Sequence, residues 1–72
     1  MKAILKVKEL KEKLTRRNLT QNHFAMKIGI SSGYISQLFS GTRNPSATLR
    51  KKMLKELKLD EGNFDEIFKI KD

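Results

Sequence analysis

The residues best suited to chemistry in this sequence are uncharged hydrogen-bonding groups that recur at helical spacing. Within the helix predicted from about 31 to 40, four of them share one side: Ser32, Gly33, Ser36 and Gln37. A solvated helix face usually carries lysine and glutamate, whereas this face carries no charge. Its groups can exchange hydrogen bonds with base edges in a DNA major groove, which is about 12 Å wide and admits a helix. This pattern therefore predicts a surface that recognises base edges by hydrogen bonding.

Catalytic chemistry has little support in the sequence. An enzyme needs a positioned acid, base, nucleophile or metal. The chain has one histidine, His23, and no cysteine, so a metal site has too few candidate ligands. No glycine-rich phosphate loop follows a strand pattern. We therefore expect no catalytic residue, no metal, no cofactor and no enzymatic activity.

Two helix starts of the same design must position the recognition face. Thr20 and Ser31 are both able to cap a helix, because their hydroxyls can accept the free amide hydrogens of a first turn. An apolar residue precedes each cap and another follows four places later, which is the spacing of a hydrophobic staple. Gly29 stands where the first helix must end, and glycine adopts the left-handed conformation without steric cost. Residues 20–41 therefore predict a helix, a tight turn and a second helix.

The apolar residues of the two helices indicate which faces meet. Each helix has three of them on one stripe, at spacings that place them one turn apart. They are predicted to pack in a shared core: Phe24, Ala25 and Ile28 in the first helix, and Ile35, Leu38 and Phe39 in the second.

The stretch from Leu19 to Ser46 resembles the lambda-repressor/Cro-like (XRE-type) helix-turn-helix family. The shared features are Leu-Thr-Gln opening one helix, an alanine inside it and a glycine at the turn. Ser-x-x-x-Ile-Ser follows in the recognition helix, and Asn-Pro-Ser opens the next helix. The resemblance runs from about Val7 to Leu57. It implies an all-α, small five-helix lambda-repressor-like domain, which we expect to span residues 1–72 as a single unit with the helix-turn-helix at about 20–41.

One position departs from the family pattern. The family often has a glutamate near the end of the recognition helix, sometimes paired with an arginine on the first helix. Those places hold Phe39 and Leu14 here. We therefore expect an apolar contact in place of the ion pair, with both residues buried.

The resemblance also implies a function. It favours a sequence-specific double-stranded DNA-binding transcriptional regulator of the Cro/repressor type, with the recognition helix in the major groove. Such proteins commonly bind as homodimers to palindromic operators whose half-sites lie about one helical turn apart. The alternative is a protein-interaction module, antitoxin-like or coactivator-like, that uses the same helices on a protein. Binding that discriminates between DNA sequences by about 10³-fold or more would support the DNA-binding regulator over the protein-interaction module.

Two groups of residues are expected to contact DNA. Tyr34 has two open interpretations, a phosphate contact through its hydroxyl or packing on Ile30. The loop after the recognition helix is either a phosphate clamp or a plain connector, and the resemblance favours the clamp. The predicted base contacts are Ser32, Gly33, Ser36 and Gln37. The predicted phosphate contacts are Gln21, Lys27, Tyr34, Ser40, Thr42, Arg43 and Asn44.

The net charge of +8 supports a nucleic-acid partner more by its distribution than by its size. Basic residues lie before and after the motif, and Lys27 is the only charge between Gln21 and Gly41. Basic flanks can hold phosphates while a neutral helix meets base edges. The other interpretation of such a charge is a solubilising surface.

In the remaining segments the sequence predicts further helices and no convincing strand. Residues 2–17 are predicted to form an amphipathic helix ending at a left-handed Asn18, and 46–58 a core helix with a basic exterior. Asn63 is predicted to cap a last short helix that bears Phe64, Ile67 and Phe68. The apolar run at residues 3–5 is too short for a signal peptide or a membrane span, so we expect a cytoplasmic location and no membrane partner.

Overall fold

The computed structural model describes all residues from Met1 to Asp72. About 60% of the chain is helical, which confirms the predicted five-helix class. The four α-helices are α1 (Val7–Arg16), α2 (Gln21–Ile28), α3 (Ser32–Ser40) and α4 (Ala47–Glu56), and a 3₁₀ helix spans Glu61–Glu66. Two strands complete the fold, β1 (Lys2–Leu5) and β2 (Phe68–Lys71). None of the helices has the length and apolar content that crossing a bilayer would require.

The predicted helix starts are confirmed by their hydrogen bonds. The Thr20 hydroxyl accepts from the amide of His23 at 3.0 Å, and the Ser31 hydroxyl accepts from the amide of Tyr34 at 3.1 Å. Ser46 caps α4 in the same way. Each bond satisfies an amide that the first turn of a helix leaves free, and so fixes where the helix begins.

All four α-helices end in a Schellman motif. A residue with positive φ follows each helix, and the next amide donates to a carbonyl five residues earlier, as Ile30 does to Ala25 at 2.9 Å. The left-handed conformations expected at Asn18 and Gly29 are confirmed. The four left-handed residues are Asn18 (φ 57°), Gly29 (φ 79°), Gly41 (φ 83°) and Lys58 (φ 57°).

One apolar cluster of 14 buried residues forms the core. α2 contributes three residues and α3 contributes two, and α1 and α4 close the cluster from the sides. This confirms the predicted stripes except at Phe39. The core members from the helices are Leu10, Leu14, Phe24, Ala25, Ile28, Ile35, Leu38, Leu49, Met53 and Leu54, and the rest of the chain adds Leu5, Leu57, Ile67 and Phe68.

The predicted burial of Phe39 is wrong. Leu14 is buried, but Phe39 is half-buried and packs against the edge of the core. Both residues line one small surface cleft, and the predicted contact between them stays a prediction. The ammonium of Lys11 lies 5.8 Å from the centre of the Phe39 ring. Phe39 is the last apolar residue of the α3 stripe, one residue before the helix ends at Ser40.

The predicted helix over residues 2–17 and the absence of strands are also wrong at the N-terminus. Residues 2–5 form β1, which pairs antiparallel with β2 in the register Lys2↔Lys71 to Leu5↔Phe68. The Lys6 amide continues the pairing by donating to the Ile67 carbonyl at 2.7 Å. The partner strand lies more than sixty residues away in sequence, so no local pattern reveals it. Phe68, expected in a last helix, starts β2 and is fully buried.

Asp60, and not Asn63, begins the last helical turn. The Asp60 carboxylate accepts from the Gly62 amide at 2.9 Å, and the Asn63 side chain accepts from the Asp60 amide at 3.3 Å. The two residues thus form a capping box in which Asn63 has the third position. An ion pair between Lys13 and Glu66, 2.6 Å apart, ties this turn to α1. The hydrogen bond from Lys13 lowers the pKa of the Glu66 carboxyl below its ordinary value of 4.5.

Candidate nucleic-acid interface

The outer face of α3 is uncharged and exposed. Its predicted base-reading residues are all exposed, namely Ser32, Gly33, Ser36 and Gln37. The opposite face is anchored, because Ile35 and Leu38 are almost completely buried. The burial fixes the rotation of α3 about its axis, and so fixes which side chains point outward. α3 therefore presents a neutral row of hydrogen-bonding groups with room for close approach.

Gly33 is not required by the fold. Unlike Gly29 and Gly41, it has no left-handed backbone. A methyl group added at Gly33 would meet only the Ser31 hydroxyl, at 4.0 Å, so the space outside it is open. Alanine would favour the helix more than glycine does. A glycine here therefore has no packing reason inside this chain, and it suits the close approach of a partner.

A hydrogen bond joins the first residue of α2 to the exposed face of α3. The Gln21 amide nitrogen lies 3.4 Å from the Ser36 hydroxyl. This contact brings a predicted phosphate contact beside a predicted base contact. It also places the free amides of the α2 N-terminus next to the recognition face, where they favour an anion.

The loop after α3 uses two of its predicted phosphate donors within the protein. The Ser40 and Thr42 hydroxyls both donate toward the Gln37 carbonyl, at 3.1 and 3.2 Å. They also lie 2.9 Å from each other. These bonds satisfy the carbonyls that the last turn of a helix leaves free. To donate to a phosphate, either hydroxyl has to exchange an internal hydrogen bond for an external one.

Arg43 is held by an aromatic ring of α3. Its guanidinium carbon lies 4.7 Å from the centre of the Tyr34 ring, within the range of a cation–π interaction. Tyr34 is half-buried and Arg43 is exposed. The Tyr34 ring thus contacts Arg43, and its hydroxyl makes no hydrogen bond within the protein.

Lys27 and Asn44 are placed differently from the rest of the predicted set. The Lys27 ammonium lies 3.8 Å from the Glu56 carboxylate, so this side chain points toward α4. Asn44 is exposed in the loop before Pro45, which is buried. The structure therefore groups Gln21, Tyr34 and the residues from 40 to 43 around α3, and sets Lys27 apart from them.

Most of the positive charge is free to act on a partner. Only two basic residues, Lys13 and Lys27, lie within ion-pair distance of an acid. The other 14 of the 16 lysines and arginines have no such partner. Unpaired cations can hold phosphates on the flanks of a neutral helix face.

Sequence reasoning missed three contacts that shape this surface. They are the Arg43–Tyr34 stack, the Gln21–Ser36 bond and the hydroxyl pair that caps α3. The hydroxyl pair had a local signal, since Ser40 and Thr42 flank the glycine that ends the helix. The other two join residues nine and fifteen positions apart, and no spacing rule connects them.

Comparison with known proteins identifies the domain. A model of the helix-turn-helix family HTH_3 matches residues 10–63, which is most of the chain. This chain belongs to the HTH_3 helix-turn-helix family. The match contains α2 and α3 and confirms the resemblance that the sequence carries. Membership makes the domain a DNA-binding transcriptional regulator of the XRE type, a class that is generally not enzymatic.

A solved structure supports the same fold. The crystal structure of the transcriptional regulator VanUg is similar to this helix-turn-helix domain with a TM-score of 0.72. The alignment covers 96% of this chain and 87% of that chain at 19% sequence identity. At this identity the likeness extends to the fold alone. No curated protein sequence matches the chain.

Proposed function

We propose that this helix-turn-helix domain, residues 1–72, is a sequence-specific regulator of the Cro/repressor type that inserts α3 into the major groove of double-stranded DNA. The observation that carries the proposal is the outer face of α3, which is exposed, uncharged and open at Gly33. In water the polar groups of this face have no fixed hydrogen-bond partners. The base edges of DNA provide a fixed set of them. The base contacts are Ser32, Gly33, Ser36 and Gln37.

Phosphate contacts flank this face in the proposed complex. Gln21 and the amides of the α2 N-terminus hold one phosphate, and the loop from Ser40 to Asn44 holds another. Arg43 lies against the Tyr34 ring and contributes a full positive charge. The Tyr34 hydroxyl can reach the same phosphate. Ser40 and Thr42 exchange their internal bonds for phosphate bonds, and Lys27 joins the contact only if its pair with Glu56 opens.

A single α3 reads a short sequence, so we propose that two copies bind together as a homodimer on a palindromic operator. Half-sites about one helical turn apart place the two recognition helices in successive major grooves on one side of the duplex. Each added base contact contributes roughly 1–3 kcal/mol of discrimination, and doubling the contacts raises specificity accordingly.

Selection of bound duplexes from a random pool tests the proposal. We expect a palindromic site that binds at least about 10³-fold more tightly than unrelated DNA at physiological salt. The logarithm of the association constant should fall with the logarithm of salt at about −0.9 per phosphate contact. A slope near zero would contradict phosphate binding. Weak binding without sequence preference would favour the protein-interaction module instead.

A further inference from the structure

A second charged surface lies on α4 and just beyond it. Four lysines follow one another at intervals of one, three and three residues, and all of them are exposed. None lies within ion-pair distance of an acid, since the two ion pairs of the chain involve Lys13 and Lys27. We call this surface the α4 ridge: Lys51, Lys52, Lys55 and Lys58.

Two clefts flank the α4 ridge, and the first of them is mainly apolar. The first, of about 580 Å³, lies between α4 and the 3₁₀ helix, with Leu54, Leu59 and Phe64 among its lining. The second, of about 520 Å³, lies toward the end of α2, with Met26 and Ile28 in its lining. Lys55 and Lys58 line both clefts, so the ridge separates them. No residue of α3 lines either cleft, so this surface is distinct from the recognition face.

The side chains around the clefts are arranged for contact. Met26 is 70% exposed, although exposing its unbranched apolar side chain to water does not stabilise the protein. Phe64 is half-buried, and its ring centre lies 5.0 Å from that of the buried Phe68 at a tilt of 33°. Exposed apolar surface bounded by polar residues is typical of an interaction site.

The combination of cations and clefts decides which partner fits. The phosphates of DNA would contact only the lysines and would leave the clefts uncovered. A second copy of this chain brings a net charge of +8 against an already basic surface. Acids beside the first cleft are few, and Asp60 already caps the 3₁₀ helix. An acidic amphipathic helix supplies both an apolar stripe for the clefts and carboxylates for the lysines.

We propose that the α4 ridge and its first cleft form a docking site for an acidic amphipathic helix of a partner protein. This site goes beyond DNA recognition and does not depend on it. A partner helix lies along the first cleft with apolar residues one turn apart, and its acids meet Lys51 and Lys55. A bound partner would therefore leave α3 free and would act on the regulator while it is on DNA.

A designed peptide tests the site with the full 72-residue chain. The probe is an acidic helix of about 14 residues, roughly 20 Å long, with leucines one turn apart and glutamates elsewhere. Its isomer has the same composition with the leucine stripe scrambled. We expect the probe to shift the backbone amide signals of Leu54, Leu59 and Phe64 in two-dimensional NMR spectra, and the isomer to leave them in place.

Charge variants test the role of the ridge. Lys51→Glu with Lys55→Glu should weaken binding of the probe by roughly tenfold or more, because like charges then face each other. The matched control, Lys2→Glu with Lys8→Glu, has the same change in net charge on β1 and α1 and should bind within about twofold of the parent. If the first variant does not fold, Lys51→Gln with Lys55→Gln should still lose several-fold.

Four results would overturn the proposal. The first is equal binding of the probe and its isomer, which would show attraction by charge alone. The second is no shift at roughly 1 mM probe, a concentration that detects even very weak complexes. The third is a self-association of the chain that covers the clefts and is lost on Leu59→Gln. The fourth is a smaller salt slope of DNA binding in the Lys51 and Lys55 variant than in its control, which would assign the ridge to phosphates.

Discussion

The central carbon of the Arg43 guanidinium lies 4.7 Å from the centre of the Tyr34 ring. Tyr34 belongs to α3, and Arg43 belongs to the loop that follows it. The contact therefore holds a cation of the loop against the recognition helix in the absence of DNA. An exposed cation–π pair contributes only about 0.5–1 kcal/mol, so its effect is on position more than on stability.

The first prediction concerns this pair. Arg43→Ala should weaken binding to all duplexes by a similar factor and reduce the salt slope by about one per protomer. Tyr34→Leu should cause part of the same loss, because the guanidinium is then free to sample other directions. Tyr34→Phe, which keeps the ring, separates the stack from the hydroxyl. In a double-mutant cycle measured by DNA binding, additive effects of Tyr34→Leu and Arg43→Ala would show that the stack does not position Arg43.

The second prediction concerns base reading by Gln37. Its amide presents a donor and an acceptor, which suits the N6 and N7 atoms of adenine. Gln37→Ala should lose about 1–3 kcal/mol on the selected site and relax preference at one base pair per half-site, with little change in salt slope. The assay is competition among single-base variants of the site at several salt concentrations. If Gln37→Ala keeps the full preference while Arg43→Ala loses it, the recognition surface is misplaced.

The third prediction separates stability from binding at Gly33. Because a methyl group has room there, Gly33→Ala should stabilise the fold by a few tenths to about 1 kcal/mol. The same methyl should weaken operator binding by about 1–3 kcal/mol, the cost of one spoiled base contact. Thermal melts and binding titrations on one sample measure both effects. A variant that is more stable and binds as tightly as the parent would show that DNA does not approach Gly33.

The fourth prediction concerns Phe39 in comparison with Phe24. Truncating a fully buried phenylalanine to alanine costs about 3–5 kcal/mol, which we expect for Phe24→Ala. Phe39 is half-buried, so Phe39→Ala should cost roughly half as much, and the loss should appear in urea unfolding. A loss as large as that of Phe24→Ala would mean that Phe39 is covered in solution. An unchanged stability would make Phe39 a contact residue and not part of the fold.

The fifth prediction concerns acid stability. Because the Lys13 hydrogen bond lowers the pKa of Glu66 in the folded state, folding favours the ionised carboxyl. Its contribution is fully present above the ordinary pKa of 4.5 and is lost as the pH falls through the folded value. Lys13→Met should therefore raise the pKa of Glu66 in NMR titrations. It should lower the melting temperature at pH 6 more than at pH 3, whereas Lys8→Met, a control on α1, should show no such difference.

The sequence by itself determined the helix-turn-helix and its outward face. Caps at Thr20 and Ser31, the glycine at position 29 and the apolar stripes are local signals, because each acts within about one helical turn. The same signals predicted which residues of α3 are exposed. They also located α4 through Ser46 and the apolar residues that follow it.

Only the tertiary structure decided how distant segments meet. The ribbon of β1 and β2 joins the two ends of the chain, and strand pairing across such a separation leaves no periodic trace in either strand. Residues 2–5 therefore resembled the start of α1. The same reason applies to three other features, which are the half-burial of Phe39, the contact of Arg43 with Tyr34 and the clefts beside the α4 ridge. Each depends on the distance between elements, which packing of the shared core sets and local spacing does not encode.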